Sequence, residues 1–379
     1  MKKNIISVNE LKFFGNEKNF LNKCINEKFI SSNGPIIREF EKKFSNLVNR
    51  KYGTTVSNGT AALELAIQAL NLNPKDEVIL PAFTIISCCN AIIKNNLKPV
   101  LIDCDPYSWN MDCSKIEEKI TKKTKAIIIV HIYGLTCDIN KILKIARKYN
   151  LKVIEDAAEA VGQYYLDKPC GSFGDISTFS FYANKHLTTG EGGMILTNKK
   201  IYYERIIRLK NLCFGDGLNR FFHTGIGSNY RMTSFQSAFG LSQLENLKKI
   251  LKIKISLGKK YNNLLKGLNK CLQLPLSNTK FSDNQYWVYG LVIKKNLKID
   301  SNYIIKKLEK KGIGCRPFFA SMNLQPVYKK LGYFKNNRMK NAEYLSKKGF
   351  YIPSGVGTTD LQIKRVSNEI ISILKKFNV

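Results

Sequence analysis

Apolar positions along the chain follow two different periods. Short apolar runs of strand length fall at residues 78–82, 99–103, 126–130, 152–156, 176–181 and 194–197. Helical spacing appears between and around them: Ile36, Ile37, Phe40, Phe44, Leu47 and Val48 share one face of an amphipathic first helix. Residues 1–35, ahead of that helix, read as an irregular lead-in. Thr233 and Gln236 form a T-x-x-Q capping box. It is predicted to open a long helix running to about residue 265, with Gly240 and Gly258 inside it. Strands alternating with helices point to an α/β fold in which helices cover a mostly parallel sheet. The long helix would join a large domain, residues 1–245, to a smaller carboxy-terminal α/β domain, residues 246–379. No internal repeat or low-complexity linker interrupts the pattern.

Composition narrows the class without naming a chemistry. A chain of 379 residues can bury a substantial core in two domains. Mean hydropathy is −0.21, and no apolar run approaches the roughly 18 residues of a membrane span, so none is expected. Met1 to Glu10 lack the apolar core and small-residue cleavage site of a signal peptide, so a cytoplasmic location is expected. The ten cysteines are scattered, with only Cys88 and Cys89 adjacent. They read as small buried hydrophobes in a reducing compartment, and with only three histidines no metal site is expected. Net charge is +32, but only ten of the 61 basic residues are arginine, the lysines are spread along the chain, and no nucleic-acid motif appears. A nucleic-acid partner is therefore not expected, although such a field attracts small anionic ligands.

Three segments carry candidate chemistry. The first runs Phe179-Ser180-Phe181-Tyr182-Ala183-Asn184-Lys185-His186-Leu187-Thr188-Thr189-Gly190-Glu191-Gly192-Gly193, an aromatic run ending at a lysine and a Thr/Gly turn. A lysine at the tip of a buried strand loses hydration, which lowers its pKa and frees a nucleophilic amine; alone, it could equally be a solvated surface charge. The second is Val153-Ile154-Glu155-Asp156-Ala157-Ala158-Glu159-Ala160, which places Asp156 at a strand's carboxyl end, where open α/β sheets bind ligands. A carboxylate there can pair with a ring nitrogen or simply cap the next helix. The third, Ser57-Asn58-Gly59-Thr60-Ala61-Ala62, leads into an Ala/Leu-rich helix whose free amides suit a phosphate. It is also what an ordinary capped helix looks like, and it matches neither a Walker loop nor a dinucleotide fingerprint.

Taken in chain order, these segments resemble the DegT/DnrJ/StrS nucleotide-sugar aminotransferases of the fold-type I pyridoxal phosphate class. Pro81-Ala82-Phe83-Thr84, Val130-His131-Ile132-Tyr133-Gly134, Asn229-Tyr230-Arg231-Met232 and Arg316-Pro317-Phe318-Phe319 extend the likeness over nearly the whole chain. The resemblance implies pyridoxal 5'-phosphate (PLP) as cofactor. Lys185 would carry it covalently and shuttle a proton at the donor's Cα, and Asp156 would pair with the ring nitrogen. Gly59, Thr60 and Ser180 would bind the phosphate, and Phe83 would stack on the ring face opposite Ala158. Asn229 would reach the phosphate of a neighbouring subunit, which implies a homodimer with shared sites.

Glu159 stands where many members carry a glutamine bonded to the cofactor's phenolic oxygen. Facing that oxygen, it should be protonated, turned toward substrate or bridged by water. A dehydratase branch replaces the lysine by histidine; here the lysine is present and His186 is its neighbour, which implies a transaminase. Trp287-Val288-Tyr289 and Leu324-Gln325-Pro326 are most similar to the perosamine-forming branch, which uses glutamate to aminate C4 of a GDP-linked 4-keto-6-deoxy sugar. The chain departs at Met322-Asn323, where many relatives place Leu-His near the sugar.

Overall fold

The structure is a computed structural model and describes residues 5–377. Helices α1 (Glu17–Asn26) and α2 (Pro35–Leu47) precede strand β1 (Tyr52–Val56) and helix α3 (Gly59–Leu70). Next come β2 (Glu77–Pro81), α4 (Ile86–Lys94), β3 (Lys98–Ile102), β4 (Thr124–Val130), α5 (Ile139–Lys148) and β5 (Lys152–Asp156). A small ribbon of β6 (Tyr164–Tyr165) and β7 (Lys168–Pro169) leads to β8 (Ile176–Ser180), β9 (Gly193–Thr197), α6 (Lys200–Leu209) and α7 (Ser234–Glu245).

β1 to β5, β8 and β9 build a seven-stranded sheet in the order β1-β9-β8-β5-β4-β2-β3. β3, β2, β4, β5 and β8 run parallel, and β9 lies antiparallel between β8 and β1. The parallel strands are buried on both faces, which is why they read as continuous apolar runs. In β4, Ala126, Ile128 and Val130 face the core formed with α3 and α4. Ile127 and Ile129 face the opposite core, where Phe40 and Phe44 of α2 pack. Each of those rings is fully buried, a gain of about 1.5–3 kcal/mol per side chain. Because β1 and β8 both run antiparallel to β9, their carboxyl ends meet at one edge: Val56 and Ser180 both pair with Gly193.

After α7 come α8 (Leu247–Leu265), β10 (Leu272–Gln273), β11 (Tyr289–Ile293), α9 (Ser301–Lys310), β12 (Arg316–Pro317), α10 (Pro326–Lys330), α11 (Lys340–Lys348), β13 (Gly349–Ile352) and α12 (Asp360–Lys375). The four strands form an antiparallel sheet in the order β10-β11-β13-β12.

Two expectations need correction. The capping box at Thr233 and Gln236 is present in both halves, but the helix it opens stops at Glu245. Asn246 leaves helical geometry (φ −99°, ψ 3°), and its side-chain amide donates to the Ser242 carbonyl at 3.1 Å, competing with the backbone ladder. A separate helix, α8, follows. The lead-in is not wholly irregular either. α1 lies within it, and the Glu17 carboxylate accepts the Phe14 and Gly15 amides at 3.0 and 2.8 Å and Gln243 of α7 at 3.0 Å. Earlier still, Ile6 exchanges backbone hydrogen bonds with Gly312 and Gly314, both 2.8 Å, and is buried in the core of the four-stranded unit. The first four residues of the lead-in lie outside the described residues.

Candidate active site

A cavity of about 650 Å³ opens where the carboxyl ends of β4, β5 and β8 meet the start of α3, and Trp287, Phe319 and Tyr351 close its other side. Asn58 caps α3 from an extended backbone, its side chain accepting the Ala61 amide at 2.8 Å. That leaves the first amides of the helix, which have no intrahelical acceptor, directed at the cavity. Gly59 is required here: a Cβ would lie 2.8 Å from the Ser180 Cβ, so only glycine lets the helix start come this close to the end of β8. The Thr60 hydroxyl is 2.8 Å from that of Ser87. Gly59, Thr60 and Ser180 therefore line the cavity together at the start of α3.

Asp156 ends β5 and is only 2% exposed. Its Oδ1 accepts the Ala158 amide at 3.0 Å and its Oδ2 accepts the Cys88 thiol at 3.3 Å. Burial raises its pKa, and these donors, Lys185 and His131 oppose the rise. Ala158 lines the cavity beside it.

Across the cavity, the Lys185 amine lies 3.7 Å above the centre of the Trp287 ring. Among the described residues it has no hydrogen-bond acceptor. Desolvation lowers its pKa, while the nearby Glu159 and Asp156 carboxylates partly restore it. The Trp287 indole N–H donates to the Asn184 carbonyl at 2.9 Å, tying the ring to the residue before the lysine.

Glu159 is buried in the same wall, and its Oε2 accepts the Tyr133 amide at 2.7 Å. Tyr133 has φ 56°, a left-handed conformation that is costly for an aromatic residue and that aims its N–H at this carboxylate. Desolvation pushes the Glu159 pKa up to about 7, against the pull of Lys185. The group therefore holds its proton to higher pH than an ordinary glutamate.

Two residues sit apart from the group. Phe83 is fully buried against Tyr133, Phe318 and Phe319, behind the cavity wall and not on it. Its apolar neighbourhood pulls the ring into the core. Asn229 is exposed and outside the cavity of its own chain; it bridges to Asn211 and accepts from Arg231 at 2.8 Å. The departure at Met322-Asn323 also turns away from the cavity. The Met322 amide donates to Ala82, and Asn323 donates to Asn337 and Glu343 at 2.8 and 2.7 Å. His131, Glu155 and Cys170 lie close enough to resemble a metal cluster. The Glu155 carboxylate, however, is already engaged by His131 at 3.0 Å and by the Gly171 and Phe173 amides at 2.6 and 2.8 Å.

The sequence did not single out Trp287 or Cys88 as parts of the site. Trp287 was visible only as part of a branch-like segment, and Cys88 looked like any buried cysteine.

A family model described as the DegT/DnrJ/EryC1/StrS aminotransferase family matches residues 14–371. The chain belongs to this family. It is 37% identical to the GDP-perosamine synthase of Vibrio cholerae, over 96% of this chain and 98% of that one. It is 39% identical to the GDP-perosamine synthase of Escherichia coli O157:H7, over 94% and 95%. A Streptococcus pneumoniae structure assigned as a sugar aminotransferase, in its PLP form, shares the fold at a TM-score of 0.90 and 23% identity, covering 98% of this chain and 99% of that one. The fold is that of the PLP-dependent sugar aminotransferases, and this member is a PLP-dependent aminotransferase. Its residues fit the cofactor: a helix start cleared by Gly59, a buried carboxylate at Asp156 and the Lys185 amine, which has no hydrogen-bond acceptor among the described residues, surround one cavity.

Proposed function

We propose that the enzyme transfers the amino group of L-glutamate to C4 of GDP-4-keto-6-deoxy-mannose, forming GDP-perosamine for cell-surface polysaccharide in the cytoplasm. The observation that carries the chemistry is the convergence of Lys185, Asp156 and the start of α3 on one cavity. The sugar rests on the full-length likeness to GDP-perosamine synthases.

When bound, PLP supplies an electron sink for the bond broken at the donor's Cα. The protein supplies the rest. Asp156, as an anion, holds a proton on the ring nitrogen. The first amides of α3 and the Ser180 hydroxyl anchor the phosphate, and Ala158 is small enough to let the ring lie flat. Lys185, with a lowered pKa, takes the proton from the donor's Cα and returns it on the far side of the transfer. Glu159, whose pKa burial raises to about 7, can when protonated donate toward the phenolic oxygen without repulsion.

A homodimer completes this reading. The segment between α6 and α7 exposes Leu218, Phe221, Phe222 and Ile226, an apolar surface that a second copy would cover, and the exposed Asn229 follows directly after it. The deciding experiment offers the purified enzyme GDP-, dTDP- and UDP-linked 4-keto-6-deoxy sugars with glutamate and identifies the products by mass and NMR. Fastest conversion of the GDP sugar, aminated at C4, is expected. Preferred turnover of a dTDP or UDP sugar would replace the assignment.

A further inference from the structure

Cys88 is the third residue of α4 and is fully buried. Its sulfur is 3.3 Å from Asp156 Oδ2, a contact across 68 residues of chain. On its other side, the Thr84 hydroxyl lies 3.6 Å from the same sulfur, and Thr84 is buried as well. The Asp156 carboxylate is an acceptor only, so the thiol hydrogen points to it and the Thr84 hydroxyl is left to donate to sulfur. The result is a short relay, Thr84 to Cys88 to Asp156, in a dry setting where such chains reinforce one another.

We propose that Cys88 is a positioning residue whose S–H fixes the plane of the Asp156 carboxylate and helps hold it as an anion toward the cavity. This deepens the role given to Asp156 and rests on it. The carboxylate has one protein donor on each oxygen, the Ala158 amide from the turn after β5 and the Cys88 thiol from α4. Both oxygens keep a lone pair free, and the geometry sets where a ring N–H can meet them.

A thiol suits this place for a physical reason. Burial first, and then the Asp156 charge, push its pKa well above the ordinary thiol range, so it stays a donor and does not compete for the proton. The other groups that act on Asp156 are Lys185 and His131, both favouring its anion, with the Glu159 carboxyl nearby in the same wall. Removing the thiol leaves one donor and the full desolvation of a buried charge.

The test uses the holoenzyme loaded with PLP carrying ¹⁵N in its ring, followed by NMR across pH. In the wild type the ring nitrogen should stay protonated across the accessible range. In Cys88→Ala the carboxylate, short of one donor, should become more basic by about one pH unit and draw the shared proton, so the ring ¹⁵N titration curve should be displaced toward the unprotonated form, the size expected for one hydrogen bond to a charged group. Cys88→Ser should restore the wild-type titration. A wild-type titration in Cys88→Ala would overturn the inference, whereas an unprotonated ring nitrogen in the wild type would instead overturn the Asp156 pairing. Should the alanine variant fail to load PLP, the S–H infrared band decides on the intact protein. One hydrogen-bonded thiol band should shift in Asp156→Asn, and an unmoved thiol spectrum would contradict the contact.

Discussion

Glu155 and Asp156 are neighbours in β5, and both are buried, yet they belong to different parts of the molecule. Successive strand residues point to opposite faces. Glu155 faces the layer containing His131 and the turn after β7, where His131, Gly171 and Phe173 fill its oxygens. The Arg50 guanidinium adds charge there while donating to the carbonyls of Gly171, Phe173 and Gly174. Asp156 faces the cavity with a single donor on each oxygen. A buried carboxylate saturated by the protein's own donors holds structure together; one left short of donors beside a cavity is set for a ligand.

Neutralising the cavity-facing member should have the largest effect on chemistry. Asp156→Asn should fold normally but lose about 10²–10³-fold in kcat, the scale of roughly 3–4 kcal/mol for a lost transition-state charge interaction. Near-normal turnover in a well-folded Asn variant would erase the distinction between the two carboxylates. The reverse pattern is expected one residue earlier. Glu155→Gln replaces one acceptor oxygen by an N–H facing other donors, and should cost on the order of 2–4 kcal/mol in denaturant stability. The kcat of its folded fraction should stay close to that of the wild type.

Glu159 gives the smallest effect and the sharpest pH signature. Its folded pKa of about 7 lies above the ordinary value of 4.5, so the folded chain holds the proton longer than the unfolded one. Its contribution to stability is complete below about 4.5 and is lost as pH rises to about 7. Measured on the cofactor-free protein, the Tm of Glu159→Gln minus that of the wild type should therefore grow across this window and level off above it. A pH-independent difference would mean that Glu159 is not held neutral.

Much of this was legible in the sequence, for identifiable reasons. The runs at 126–130 and 152–156 are apolar because those strands are covered on both sides, so their positions emerge directly from composition. Asp156, Lys185 and Gly59-Thr60 stand at element ends, where a break in the apolar pattern marks them. Cys88 and Trp287 carry no such mark. Their roles come from contacts with Asp156 and Lys185 that span 68 and about 100 residues, and a buried thiol or indole looks the same in a core as beside a site. Phe83 shows the converse: an aromatic implicated by resemblance lies in the ring cluster behind the wall. The break at Asn246 was hidden because a capping box marks where a helix starts and says nothing of its end.

The central claim is that Lys185 carries the cofactor over the Asp156 face of the sheet. It is tested most directly by loading the enzyme with PLP, reducing it with borohydride and mapping the labelled peptide by mass spectrometry. The account predicts a single labelled site at Lys185, with the label absent when glutamate is added before reduction. A label on any other lysine, or a cofactor that cannot be fixed to the chain, would contradict it.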